Sequence, residues 1–591
     1  FLLGYLSSSN NITNGGNIDY NLFYVTLGSY YAPWIQNDWK VSRKLTLNLG
    51  ARWDINKSPN ERYDRLNHGF DPNVISPVDS MVNRTQFPNV PQLKGGILFA
   101  GENGLSRTPA KTDWNNIQPR IGFAYLLKDK LVMRGGWGLY YVNPNNDYLQ
   151  FAGFSRSTPV VTSLDGGFTP IENLLSNPFP NGISLPTGSS LGADTFVGNG
   201  FSYVNPNFKI PYVHQFSFGF QYQLPWDSKV EVSYVGNRTR QLQTNKPINE
   251  PDLAFRQKCD PLEGGNADLC NVQVPNPFKG LEPFRGTSMF TSDTISQFQL
   301  ARPYPQFGGI TEVGRNDGSI NYDSLQVTFE KRARAGMNLT MTYTLSKQIE
   351  EWGWNDVQKN IKQRGLYTWD RPHRFTASMV YQLPFGEGKK LFNFKNRLLK
   401  KVASGWETNL IFQWQSGRPW DMPDVLWMNE DAILKNIQWK GVDRVWAFRT
   451  YPNKNDPNTR QVCIGQINNR GGLELTQNSL DLVGCTVNNV DVITKPAYAP
   501  ARYTSYRHPS LRLYSPPTGD MSFAKSMKIT ETKSLQFRVE MFNFMNTYSY
   551  NVEQFNGNTG DRNFGSLTPR TAADTEVAYP RQIQLALKFR W

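Results

Sequence analysis

The chain has 591 residues, a net charge of +14 and 13% aromatic residues, with a mean hydropathy of -0.53. At roughly 150 residues per domain this length makes about four domains, unless one repeated unit closes into a single large architecture. No apolar run approaches the ~18 residues of a membrane-spanning helix, which excludes a helical membrane protein. The basic residues cluster in short turns rather than on one helix face, which argues against nucleic acid as a partner.

Taken in order, the chain repeats one signal, apolar and polar side chains alternating on the two faces of a strand. Tyr20 to Trp39 reads as a first strand, followed by a tight turn at Lys40 to Lys44. Leu45, Leu47, Leu49, Ala51 and Trp53 then share one face, against Thr46, Asn48, Gly50 and Arg52. After a hydrophilic stretch to Asn116, Ile117 to Leu127 and Leu131 to Val142 form a hairpin across Lys128, Asp129 and Lys130. Arg134 to Gly138 lies within that second strand and has no lysine, so its glycines read as close packing and not as a phosphate loop. A third hairpin alternates Phe216 to Leu224 and returns through Val230, Val232 and Tyr234. Leu325 to Phe329 leads through a basic turn to Leu339 to Leu345, and Arg302 to Ile320 has room for a further pair. Phe375 to Leu383 pairs with Trp406 to Trp414 across a longer connection, in which Leu391, Leu398, Leu399 and Val402 recur at helical spacing among lysines, as in an interfacial helix. Met521 to Ile529 and Leu535 to Phe544 make the sixth hairpin. The final strand carries Ile583, Leu585, Leu587, Phe589 and Trp591 on one face and Gln582, Gln584, Ala586, Lys588 and Arg590 on the other.

These thirteen strands are joined by short and long connections in alternation. That pattern predicts an all-β fold, a transmembrane antiparallel β-barrel with short periplasmic turns and long extracellular loops. In such a wall apolar residues face lipid, and Arg52, Arg120, Glu231, Arg538 and Glu540 line the lumen. Single-chain bacterial barrels have an even strand number, so strands are expected upstream, about nine of them if the barrel is a 22-stranded plugged transporter. Residues 1–591 are accordingly expected to be the C-terminal part of a barrel integral to the outer membrane, and Phe1 to mark a mature form or a fragment. Backbone groups left unpaired in hydrocarbon are costly, so an isolated thirteen-strand piece is not expected to close.

Five stretches resemble one family, the Oar-like TonB-dependent outer-membrane receptors: Tyr31 to Asp54, Arg302 to Ile310, Asp370 to Gly386, Phe537 to Asn546 and the terminal strand. The resemblance implies a 22-stranded barrel with an N-terminal plug and a segment that contacts the inner-membrane TonB complex, both upstream of this sequence. It also makes Ile583, Leu585, Leu587, Phe589 and Trp591 similar to the signal read by the barrel-assembly machinery, with Trp591 where phenylalanine is more usual.

No catalytic constellation stands out, and no enzyme activity, cofactor or metal site is expected. The four histidines, His68, His214, His373 and His508, are scattered. Glu350 and Glu351 are neighbours on an extended chain, face apart, and read as a solvated loop. Cys259 with Cys270 and Cys463 with Cys485 form two local pairs inside loops, as disulfides of an oxidising compartment would. Trp352, Trp354, Trp369, Trp420, Trp427, Trp439 and Trp446 are the candidates to stack on a glycan, peptide or siderophore. Trp39, Trp53, Trp406, Trp414 and Trp591 read as an interfacial girdle. The functional expectation is a receptor that binds a solute with its outer loops and imports it. The alternatives are an adhesin or secretion-associated protein on the same barrel, and a soluble all-β glycan-binding protein or hydrolase.

Overall fold

Register decides the architecture, because along one face of the wall apolar residues of successive strands are set opposite one another. The structure, a computed structural model, describes residues 14–142, 148–161, 176–179, 182–332, 336–429, 433, 445–495, 502–504, 506–513, 515–547, 556–567 and 580–591. Thirteen strands form an antiparallel meander: β1 Trp34–Lys40, β2 Leu45–Trp53, β3 Ile117–Lys128, β4 Leu131–Tyr141, β5 Tyr212–Leu224, β6 Ser228–Pro247, β7 Ile310–Lys331, β8 Met337–Asp356, β9 His373–Gln382, β10 Trp406–Gln415, β11 Thr518–Lys528, β12 Ser534–Phe542 and β13 Gln582–Arg590. Phe201–Val204 adds to β7 in parallel and Ile361–Leu366 adds to β8, which makes a sheet of 15 strands. The residues from Arg302 to Ile320 hold no extra hairpin; Ile310 onward is the outer extension of β7.

One row around the sheet runs Met133, Phe220, Val232, Val327, Tyr343, Phe375, Trp414, each directly opposite the next. The row beside it on the other face runs Gln221, Glu231, Thr328, Thr342, Thr376, Gln413, Thr518. Because side chains alternate, a slip of one residue on any strand would carry its apolar set to the polar side, so the pattern itself selects this pairing. The apolar face stays uncovered: Phe218, Phe220, Tyr234, Leu325 and Leu345 are exposed, and Leu585 and Leu587 are 67% and 69% exposed. A soluble sheet buries such a face; a wall against lipid leaves it bare. Glycine serves the same face at Gly236, where a Cβ would collide with the Phe216 ring lying over it.

β1 is shorter than expected. Tyr20 belongs to Asn14–Asn21, which pairs with Ser155–Val161, and residues 26–27 and 30–31 form two-residue ribbons with 60–61 and 55–56. Pro33 offers no N–H to a ladder, and β1 starts directly after it. Among the described residues β1 and β13 each have one neighbour, so the sheet is open at these two edges. The helical spacing between β9 and β10 forms the helix α1, Arg397–Ala403, whose N-cap Asn396 accepts from the Leu398 N–H at 2.9 Å. Leu398 and Val402 are 74% and 62% exposed, as expected of a helix lying at a membrane surface.

The long connections are not loose polar loops. Segments between β2 and β3, β4 and β5, and β6 and β7 share one core, with Val78, Leu93, Ile97, Phe99, Phe278, Phe284 and Phe307 buried together. The connection between β10 and β11 builds a second core around Trp420, Val425, Phe448, Val462, Ile464, Val492 and Leu511, joined by Phe564 from the connection before β13. Disulfides Cys259–Cys270 and Cys463–Cys485 tie one unit each.

The second unit also buries Asp491, which is 4% exposed and has one carboxylate oxygen without a hydrogen bond. Burial pushes its carboxyl up to about 6, opposed by Arg449. The folded form therefore prefers the neutral acid: stability is highest below the unfolded pKa near 4 and falls as pH rises toward 6. Asp491→Asn is expected to remove that decline and raise the stability of this unit by about 2–3 kcal/mol at pH 7.5. Protease protection of residues 445–495 measured across pH 4 to 8 tests this, and an unchanged pH profile would refute it.

Candidate functional site

The expected site residues fall on the polar face of the sheet and in the outer units above it. Of the expected lumen residues, Arg52 lies opposite Gln118 and Trp34 and is held by Asp54 at 2.7 Å and the Tyr30 hydroxyl at 2.7 Å. Arg120, opposite Gly50 and Gly138, spreads its guanidinium 4.6 Å from the centre of the Tyr140 ring. Glu231 sits between Gln221 and Thr328 in the polar row. Arg538 and Glu540 pair along β12 at 3.1 Å. A cleft of about 590 Å³ opens on this face, lined by Gln36, Asn48, Arg120, Tyr140, Gln215 and Asn237 over Gly50, Gly122 and Gly136.

The expected loop tryptophans separate into distinct environments. Trp420 is 2% exposed in the second outer core, so it cannot offer a face to a ligand; its burial corrects the expectation for this residue. Trp352 is exposed, with its indole N–H donated to the Gln243 carbonyl at 2.6 Å. Trp354 is part of a packed cluster, with the Lys246 ammonium 4.6 Å from its ring centre and Arg315 and Lys362 at 6.0 Å. Trp369 is exposed beneath Arg418, whose guanidinium lies 5.2 Å from its ring centre, and Trp427 is exposed in a two-residue strand. Trp446 is placed on Val445–Trp446, paired with Ser566–Leu567, and Trp439 lies outside the described residues. Among the described residues, Trp352, Trp354, Trp369, Trp420 and Trp427 thus occupy separate environments.

What the sequence did not disclose is how the outer units are fastened. Arg256, on helix α2 Leu253–Cys259, grips Asp356 at the end of β8 with both terminal nitrogens, at 2.9 and 3.0 Å. Glu350, read as solvated, is 6% exposed and pairs with the buried Arg507 of the second unit, which also meets Asp421 at 2.5 Å. Arg512 reaches Asp370 at 2.7 Å. The outer end of β8 and the turn after it are therefore clamped from both sides by arginine. Sequence spacing carries no signal for these pairs, because Arg256 and Asp356 are 100 residues apart. Between residues 86–91 and 255–301 of the first unit lies a mainly apolar cleft of about 630 Å³, lined by Phe87, Pro88, Val90, Phe255 and Leu300. Among the described residues no three histidine, cysteine or acidic side chains are placed to hold a metal ion, and no helix is long and apolar enough to cross a membrane.

A family model described as "Outer membrane beta barrel domain" matches residues 1–584. The chain is an outer membrane β-barrel domain. Its place is therefore in the outer membrane. No curated protein matches the sequence. Among solved structures, the outer membrane transporter YddB from Escherichia coli is similar at 10% identity and a TM-score of 0.37, over 96% of this chain and 54% of that one. The copper transporter OprC aligns at 8% identity and a TM-score of 0.36, over 96% and 48%. The alcaligin outer membrane receptor FauA from Bordetella pertussis aligns at 8% identity and 0.30, over 88% and 43%. The barrel domain thus spans about half the length of these structures or less.

Proposed function

We propose that this barrel domain is part of an Oar-like TonB-dependent receptor, in which the outer units bind a solute and energy from the inner membrane drives it inward past a plug. The plug and the TonB-contacting segment would belong to sequence preceding residue 1, and nine further strands would complete the wall. The observation that carries this reading is the two-faced sheet, polar inside from Gln221 to Thr518, beneath outer units clamped to β8 by buried ion pairs. A pore used for free diffusion has no need of such a rigid superstructure. The five stretches of family resemblance give the same reading.

Accumulation of solute by cells that carry the full-length protein, measured with and without TonB, tests the proposal. Import is expected to stop when TonB is lost, while binding to whole cells persists. Binding without any TonB-dependent import would overturn it and favour the adhesin reading, to which rigid, disulfide-tied outer units are equally suited.

A further inference from the structure

Five short turns and the longer β9–β10 connection lie on one edge of the wall, the edge opposite the outer units. By the rule for such barrels this edge faces the periplasm. Residues 386–405 of the connection hold Lys389, Lys390, Lys395, Arg397, Lys400 and Lys401 against one acid, Glu387. Glu387 is paired with Lys400. Lys389, Lys390, Lys395 and Lys401 are exposed, and among the described residues their side chains make no hydrogen bond or ion pair. The same stretch exposes Leu391, Phe392, Phe394, Leu398, Leu399 and Val402, each by 41–74%. Positive charge and bare apolar surface are therefore interleaved on one short segment.

This segment is fastened in place. At the C-terminal end of α1 the Lys525 ammonium donates to the Lys401 carbonyl at 2.7 Å and to the Ser404 carbonyl, and the Trp406 indole N–H donates to the Val402 carbonyl at 2.9 Å. Trp406 lies directly opposite Lys525, as Leu410 lies opposite Met521 further along the same two strands. Alternation puts all four on the apolar face of the wall. Helix α1 is thus held on the apolar side of the rim, where the headgroups of a surrounding bilayer would begin. Neighbouring turns on this edge extend the charge, with Lys40, Arg43 and Lys44 between β1 and β2, and Lys128 and Lys130 around Asp129 between β3 and β4.

We propose that the β9–β10 connection is a docking surface for anionic phospholipid of the periplasmic leaflet. Its apolar side chains lie among the acyl chains, and its lysines pair with headgroup phosphates. Apolar insertion combined with lysines beside it is what selects an anionic bilayer surface. Continuity with the apolar face of the wall favours lipid over a soluble acidic protein, which would match the charge and leave Leu398 and Val402 in water. The inference goes beyond the import reading and does not rest on it, because an adhesin on the same barrel would dock the same lipid.

Native mass spectrometry of the full-length protein in detergent, titrated separately with phosphatidylglycerol, phosphatidylcholine and lipid A, is the test. The first phosphatidylglycerol is expected to bind about fivefold tighter, or more, than the first phosphatidylcholine, the factor that one lysine near an anionic surface supplies. Lys389→Gln, Lys390→Gln, Lys395→Gln and Lys401→Gln combined, at four exposed side chains with no bond to lose, are expected to bring the two affinities together. The heat-modifiable gel shift of the folded barrel is expected to stay unchanged in that variant, which separates lost recognition from lost folding. Equal affinity for the two phospholipids in the unsubstituted protein, or a preference that survives the four substitutions, would overturn the inference. Lipid A binding lost in the variant while the preference for phosphatidylglycerol persists would also overturn it, by placing an outer-leaflet lipid on this surface.

Discussion

Arg256→Ala is expected to destabilise the first outer unit by roughly 3–5 kcal/mol, because it strands a carboxylate in a buried site. The Asp356 side chain is 4% exposed, and its bidentate partner is the charge that makes this burial tolerable. The backbone N–H groups of Gln358 and Lys359, each 3.1 Å from Asp356, would remain but are too weak to replace a guanidinium. The pair Arg256→Met with Asp356→Leu removes both charges and is expected to recover most of the loss, since apolar replacements of buried ion pairs are often neutral or stabilising. Hydrogen exchange across helix α2 and limited proteolysis of residues 248–309 report the effect. Equal destabilisation in the single and double variants would show that the pair acts through shape and not through charge.

The second large effect is expected at the lipid face. Val327→Arg should cost roughly 2–4 kcal/mol and cut the yield of folded protein, whereas Thr328→Arg should cost far less. The two residues are adjacent on β7, and their surroundings differ by face alone. Val327 lies between Val232 and Tyr343, and Thr328 between Glu231 and Thr342. Refolding into lipid vesicles, scored by heat-modifiable gel mobility, compares them at one depth. Equal yields would mean that the apolar face does not meet lipid.

The wall was legible because its physics is local. Leu45, Leu47 and Leu49, or Leu585 and Leu587, announce a strand and its faces through a period of two, and the structure keeps those faces. The register follows from matching one apolar stripe to the next, so Leu585 opposite Val539 needed no distant information. The outer units were not legible for the opposite reason. Leu93, Phe278 and Phe307 share a core although they come from two different connections, and none belongs to a periodic run. Trp420 looked like an exposed loop aromatic because a loop's burial depends on partners that spacing does not encode. Glu350 looked solvated for the same reason, since its partner Arg507 is 157 residues away. Phe23 and Tyr24, apolar enough to extend a strand, lie outside the wall because Pro33 interrupts the ladder.

The meander order of the wall sets the sequence in which the domain can fold. Every wall strand pairs with its immediate neighbour along the chain, so short closures suffice at five of the turns and little chain entropy is lost per hairpin. The outer units are the reverse case: Gln306 donates to the Lys94 carbonyl across 212 residues, and Asn17 reaches Ser157 across 140. Contacts that distant form slowly unless something else has first brought their ends together. The hairpins do so, gathering successive connections on one side of the sheet. The wall is thus a template on which the outer units can assemble, and a wall variant that slows hairpin formation should delay the outer cores before it alters them.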